Sequence, residues 1–541
     1  MTAIGPAEAT EPAGGSETHG GAHTGEQHLG QVDRAARGTA LNLVGSVIAA
    51  VVSFVTVGVI TNVYGKAGAG VFFAATAAFT LAANAARLGA ESGLTYFVSR
   101  LRADGGHRRI PVAIRTALGA TALVAGSLGL AGLVGATGLS DLITTDTRYG
   151  ETATTMIRIL AVAVPTFALS QAMFGATRGF GTMRPAVVAG QIVRPLTQLG
   201  FVSVAIVISD EVWPLALAWA ASSVLTMATV GSWLRRRLQV VAERHGTDGA
   251  GRPADDADGT GDSATFSRSV YWRYSAPRAL ADLLSAMLER LDVLLVAILV
   301  SEAGAGMYGA SNRLILAGQM MMVATAQSMA PLLAADFLKG RLDDAQRVLR
   351  TISGWNVTLL WPVFLGLAFG AETALSVFGP EFTEAAPLVV VLSVAFLIIT
   401  GLGIGDTMLM MTGDSVASLI NHGIALAVML ATAIVLLPMY GIIGAAWAWA
   451  ASRVLLRILA VLRVYRTKGI HAIGSPVLIA AAVALVAYVP AGLVVHGAAD
   501  GWVAVAAHVG VGGVLHLLML TRVHRILAID QLLSVVVKRR A

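Results

Sequence analysis

Arg278, Asp282, Ser285, Glu289 and Asp292 recur at helical spacing inside one long apolar stretch, and at 100° per residue they fall within about 80° of one another. A charge facing lipid at mid-bilayer costs roughly 2.5–3.5 kcal/mol even on the most lenient scale. Such a stripe must therefore face a watery cavity or the interior of a helix bundle. Arg278 and Asp282 are four residues apart and can neutralise each other, Glu289 lies nearest the middle of the stretch, and Arg290 points away from the stripe. Two further cations sit deep in apolar runs. Arg194 shares a face with Gln191 and Gln198 and is followed by Pro195, which loosens the helix there; Arg313 follows Asn312 about two turns into its helix. A guanidinium is never deprotonated and grips phosphate through two parallel hydrogen bonds, so Arg194 and Arg313 are the candidate contacts for a buried anion, with Arg278, Gln191, Gln198 and Asn312 beside them. Asp282, Glu289 and Asp292 are candidates for carrying a coupling ion, as is Asp406 in the glycine-rich stretch Gly401–Gly405. The competing reading is that these groups only lock helices together; for Arg87 with Glu91, and for Arg453 and Arg457, snorkelling to a nearby interface is the simpler account. The Met320–Met322 run, Trp447 and Trp449 read as packing and interface residues.

The elements that hold these side chains are membrane spans. Over 541 residues the chain is 56 % hydrophobic and 13 % charged, with a mean hydropathy of +0.72, which excludes an ordinary soluble protein. Apolar runs place six spans between residues 39 and 233, six more between 276 and 463, and two near 474–495 and 501–521: an all-α polytopic protein of about fourteen transmembrane helices. Arginines collect in alternate loops, as at Arg100, Arg102, Arg108 and Arg109 or Arg235, Arg236 and Arg237, while the other connections carry acids and only Lys66 and Arg148. The positive-inside rule then puts both termini in the cytoplasm of a multi-pass cell-membrane protein.

Three landmarks return in order, about 230 to 236 residues later. Ala67-Gly68-Ala69-Gly70 recurs as Ala303-Gly304-Ala305-Gly306, Gly181-Thr182-Met183 as Gly413-Asp414-Ser415, and Trp219-Ala220-Ala221-Ser222 as Trp449-Ala450-Ala451-Ser452. The repeating unit is a block of six helices, and two such lobes rocking about a shared cavity are the architecture of an alternating-access transporter. The expected organisation is a disordered cytoplasmic tail (1–36), a first lobe (37–240), a flexible linker (241–268), a second lobe (269–468), and two extra helices with a short basic tail (469–541). His19, His23 and His28 in the tail read as unspecific, the absence of cysteine excludes thiolate chemistry, and no phosphate-binding loop or His-Glu-x-x-His motif is present. Neither an enzyme nor an ATP-driven pump is expected, nor a nucleic-acid partner.

Several stretches resemble the O-antigen and exopolysaccharide flippases of the multidrug, oligosaccharidyl-lipid and polysaccharide exporter (MOP, MATE-like) superfamily. Tyr64-Gly65-Lys66-Ala67-Gly68-Ala69-Gly70-Val71-Phe72 is similar to that branch's "lGpeeyGlf" turn, and Leu88 to Leu94 follow it at the end of span two. Thr177-Arg178-Gly179-Phe180-Gly181 is similar to its "lrGlGr" turn. Tyr274-Ser275-Ala276-Pro277, Arg290-Leu291-Asp292 and Gly306 to Leu314 resemble its second-lobe pattern, so the likeness covers about residues 37–468. The resemblance implies a cationic central cavity and a flippase that turns a polyprenyl-diphosphate-linked oligosaccharide from the inner to the outer leaflet for surface polysaccharide synthesis. It implies no cofactor beyond a coupling ion, H⁺ or Na⁺, and as partners the lipid-linked substrate, the bilayer, a polysaccharide polymerase and glycosyltransferases. Two departures stand out: the turn at Lys66 lacks the acids of its relatives, and span seven is more acidic than an anion-binding wall needs. The alternatives are a cation-coupled multidrug exporter of the same superfamily, a lipid II flippase, or a non-transporting scaffold. Spans one to six hold no Asp or Glu in their apolar cores, which argues against the drug exporter, and the intramembrane charges argue against a scaffold.

Overall fold

The computed structural model describes residues 20–246, 267–316, 318, 319, 322, 341–405, 408, 409, 415–524, 526 and 527. Every element among them is helical. Ten helices are long and apolar enough to cross a membrane. Two of these, Gly20–Ala86 and Ser415–Lys468, are double spans that turn back on themselves, at Gly65 (φ 64°, ψ −174°) and Gly441 (φ 57°, ψ −135°). Those angles are open only to glycine at little cost. The reversal is visible in the packing. Ser53 and Thr76, on either side of Gly65, line one small hollow, and Gly444 lies against the Leu436 carbonyl across Gly441. With both halves of each hairpin, the Arg268–Leu299 helix and the helix that begins at residue 302, the chain accommodates the fourteen spans expected. Arg268–Leu299 is absent from the ten because of the charges that make it interesting.

Helix starts earlier than expected. The first element reaches back to Gly20, so residues 20–36 are helical rather than tail, and the Pro214–Gly246 and Arg268–Leu299 helices enter both ends of the stretch read as linker. The first tail residues, the middle of that linker, Asp406, Met320, Met321 and the landmark Gly413-Asp414 lie outside the described residues. The lipid-facing shell is apolar, with Leu123, Val134, Val162, Val207 and Ile208 all exposed on the bundle's flank; a patch of that kind is at home only in hydrocarbon. The third pair of landmarks has one local form in both places, the Ser222 and Ser452 hydroxyls each donating to the tryptophan carbonyl three residues back at 2.8 Å. Trp219 packs edge-on against Phe72, whereas Trp449 lies tilted by 32° against Phe396.

The first pair of landmarks meet each other. A Cβ on Gly306 would stand 1.9 Å from the Lys66 carbonyl oxygen, and one on Gly70 would stand 1.7 Å from that of Glu302, so the two backbones touch where only hydrogen fits. Around this crossing the lobes are clasped. The Lys66 ammonium pairs with Glu384 at 3.1 Å and its backbone N–H donates to Glu381 at 2.7 Å; Asn62 donates to the Val377 carbonyl at 2.8 Å, and the Thr145 hydroxyl to Glu302 at 2.9 Å. The opposite, arginine-rich end is held differently. There Tyr271 and Ser275, at the start of the Arg268–Leu299 helix, pack on Gly89 and Gly93 of the first lobe. Pro277 follows, and from Leu284 onward the same helix packs on Ala425, Met429 and Leu456 of the second lobe.

Candidate functional site

Between the two ends lies a polar cavity of about 400 Å³, walled by both lobes. The first hairpin supplies Thr76, Thr80 and Asn84, the Gly150–Gly179 helix supplies Phe167 and Gln171, and the other walls carry the charges: Arg87, Arg194, Arg290 and Arg313 against the single carboxylate of Glu289. Arg194 is delivered by an irregularity. Residues Ala186–Val193 form a stretch of π-helix whose last wide turn, closed by the Arg194 N–H on the Ala189 carbonyl, runs into Pro195. Such bulges re-aim the side chains that follow them. The Arg194 guanidinium lies over the Phe167 ring at 4.3 Å, and its Nε has no hydrogen-bond partner; neither has Nε2 of Gln198 beside it. Arg290 stands within electrostatic range of both Arg194 and Arg313.

Arg87 is neutralised, by Glu91 at 2.7 Å, and Glu91 is shared with Arg178 at 2.5 Å. No carboxylate among the described residues pairs with Arg194, Arg290 or Arg313. Removing a lone charge from water costs several kcal/mol even after relaxation, so three unpaired guanidiniums facing one hollow form a site that an anion would stabilise.

The sequence-derived candidates divide. Arg194, Arg313, Gln198, Asn312 and Glu289 line the cavity as expected. Gln191 does not: its amide donates to Asn42 at 2.9 Å and its carbonyl oxygen faces Ser46, at the start of the first span. The reason is the π-helix, which takes more residues per turn and so rotates Gln191 away from the face of Arg194 and Gln198. Arg278 lines a second hollow, with its guanidinium 4.1 Å over the Tyr274 ring. Asp292 is only 4 % exposed and accepts hydrogen bonds from the Tyr308 hydroxyl at 3.0 Å and the Val293 N–H at 2.8 Å, a clasp between consecutive helices rather than a cavity ligand. Asp282 lies behind the wall, in range of Arg87, Glu91 and Arg278, and the Ser285 hydroxyl turns back to the Ala281 carbonyl. The cavity takes Glu289, Arg290 and Val293 from this helix, a stripe about 100° wide centred off the one drawn from the sequence.

Two cavity residues were assigned elsewhere from the sequence. Arg290 points in, not away, and Arg87 belongs to the wall and to a partly buried ion pair with Glu91. The signal for both was the same one that exposed Arg194: an arginine at a depth where hydrocarbon would be its only alternative. Arg453 is likewise internal, donating to the Leu288 carbonyl at 2.8 Å. No cluster among the described residues could hold a metal ion.

The sequence pattern of a family described as polysaccharide biosynthesis protein matches residues 35–335. No curated protein matches the chain at a significant level. Among solved structures, the lipid II flippase MurJ in an inward closed conformation superposes with a TM-score of 0.68 at 11 % identity, over 90 % of this chain and 100 % of that one. An inward-facing multidrug resistance MATE family transporter of the MOP superfamily superposes with a TM-score of 0.62 at 14 % identity, over 79 % and 94 %. A MOP superfamily transporter from Pyrococcus furiosus, described as having a binding pocket of reverse polarity, gives 0.52 at 16 % identity, over 79 % and 93 %. At such identities the likeness is one of fold, and the fold is that of two-lobed membrane transporters. With the family pattern spanning more than half of its length, the chain belongs to the polysaccharide biosynthesis protein family, and over most of its length its fold is the one seen in the MurJ and MATE structures.

Proposed function

We propose that this transporter turns a polyprenyl-diphosphate-linked oligosaccharide from the inner to the outer leaflet of the cell membrane by alternating access. One observation carries the reading: Arg194, Arg290 and Arg313 converge on a cavity between the lobes and have no carboxylate partner among the described residues. A diphosphate supplies the missing charge, and planar guanidiniums suit its oxygens. By the positive-inside rule the arginine-rich end would face the cytoplasm and the Lys66 clasp the outside. The conformation then has its outer side closed, as a carrier waiting for substrate from within would. Glu289, the one acid of the cavity wall, is the residue placed to exchange a proton or Na⁺ as the anion comes and goes; Asp282, Asp292 and Asp406 are weaker candidates for that task. A polymerase and glycosyltransferases would supply and consume the cargo.

The test is a strain lacking the transporter, complemented with wild type, Arg194→Gln or Arg313→Gln. Lipid-linked oligosaccharide should accumulate, and surface polysaccharide fall, in the deletion and in both variants at equal protein abundance. Normal export by both variants would remove the cavity from the mechanism. Unchanged glycan lipids in the deletion, with new sensitivity to cationic dyes, would replace the flippase reading by a drug exporter.

A further inference from the structure

A second hollow lies apart from the arginine cavity. A groove of about 830 Å³ lies at the arginine-rich end, between the Ala90–Ala103 helix, the end of the Gly150–Gly179 helix and the start of the Arg268–Leu299 helix. Three features set its chemistry. Ser92, Thr95 and Ser99 recur along one face of the first helix, and the hydroxyls of Thr95 and Ser99 donate to the Gly175 and Gly179 carbonyls, which leaves their oxygen lone pairs as acceptors. Arg100, Arg178 and Arg278 line it beside Glu91, which is shared between Arg87 and Arg178; Arg100 also reaches Asp104 at 3.5 Å and donates to the Tyr96 hydroxyl at 3.2 Å, and Arg278 pairs with no carboxylate among the described residues. Lastly, Tyr96 and Tyr274 stack at 4.3 Å and 17°, across the boundary between the lobes.

That stack has an open end. Arg278 covers the Tyr274 ring at 4.1 Å, and since Tyr96 lies equally close, the two must occupy opposite faces. Phe97 meets both tyrosines edge-on and so lies beside the stack; among the described residues no ring stacks on the far face of Tyr96, and the residue is 38 % exposed. An aromatic face bordered by hydroxyls and guanidiniums is suited to a polyhydroxylated ring: the apolar C–H face of a sugar lies on the tyrosine while its hydroxyls bond the rim. A lipid tail would leave the hydroxyl acceptors and the Arg278 guanidinium without polar partners, and a cationic ligand on the tyrosines would meet Arg278.

We infer that this groove is a glycan-binding subsite, which seats the sugar portion of the lipid-linked substrate on Tyr96 while the diphosphate lies deeper, at Arg194, Arg290 and Arg313. The inference rests on the flippase reading and adds where the sugars sit. Glu91 joins the two regions, with one oxygen on Arg87 of the cavity and the other on Arg178 of the groove. The groove spans both lobes, so an occupant there is sensed by each.

The experiment is equilibrium binding to the purified full-length chain with two probes: undecaprenyl diphosphate, and the undecaprenyl-diphosphate oligosaccharide extracted from a strain lacking the transporter. Wild type should hold the glycan-bearing lipid at least about tenfold more tightly than the bare one. Tyr96→Ala should erase that difference and leave bare-lipid binding intact, which also shows the variant to be folded; Tyr96→Phe should keep it. Arg313→Gln should weaken both probes. Equal affinity of wild type for the two lipids, no effect of Tyr96→Ala, or an equal loss for both lipids would each overturn the subsite while the diphosphate cavity stands. If neither lipid binds wild type, the flippase reading fails and the subsite with it.

Discussion

Gly306→Ala should open the outer side of the protein. The new Cβ would fall 1.9 Å from the Lys66 carbonyl oxygen, whereas ordinary contact begins near 3.4 Å, so the two helices must part by about 1.5 Å. Both colliding groups are backbone, and neither can rotate away. Overpacking of this kind costs about 1–3 kcal/mol, and here the cost falls only on the conformation in which the lobes touch. At about 2 kcal/mol the ratio of outer-closed to outer-open molecules falls by about thirtyfold. The chain has no cysteine, so a single Thr76→Cys substitution in the cavity wall reports directly, through its labelling by a membrane-impermeant maleimide applied from outside intact cells. Labelling should rise in Gly306→Ala and Gly70→Ala. Gly304→Ala is the control, since its Cβ would meet side-chain atoms of Ile442, Ser301 and Val296 at 3.1–3.3 Å, all within the second lobe. Equal labelling in all of these proteins, at equal abundance, would refute the assignment of the glycine crossing as the outer barrier.

Two further outcomes follow from the charges. Arg290→Gln should abolish export as completely as Arg194→Gln, measured as surface polysaccharide at matched protein level, because the three guanidiniums share one anion; full export would show that Arg290 is only a wall. Tyr308→Phe leaves one oxygen of buried Asp292 without its donor, at a cost of about 1–3 kcal/mol, which should lower the thermal unfolding midpoint in detergent while binding of undecaprenyl diphosphate is unchanged.

The spans were legible as apolar runs, because burial in lipid restricts composition severely; the Ala-Gly-Ala-Gly landmarks were read as signs of a repeat, and that they meet each other showed only in the structure. Arg194 and Arg313 were legible for the same reason: nothing but a cavity accommodates a guanidinium at that depth. The helical wheel failed at Arg278 and Asp292. It assumes one neighbour along a whole helix, but this helix meets different neighbours along its length, so residues on one stripe face a groove, a cavity and a tyrosine in turn. Gln191 was lost to a π-turn that no side chain announces. The groove at Tyr96 was invisible because its two halves, Tyr96 and Tyr274, come from different lobes.

The seam between the lobes runs through the Arg268–Leu299 helix and not through a loop. Its beginning packs on Gly89 and Gly93 of the first lobe and its later turns on Met429 and Leu456 of the second, while Glu302 just past its end is tied to Thr145 of the first lobe again. Pro277 has no N–H for the carbonyl four residues earlier, which makes its neighbourhood the cheapest place to flex. Past that point the rod carries Glu289 and Arg290 into the cavity. A bend at Pro277 would re-point Glu289 and Arg290 as it tilted the lobes, with no separate signal required.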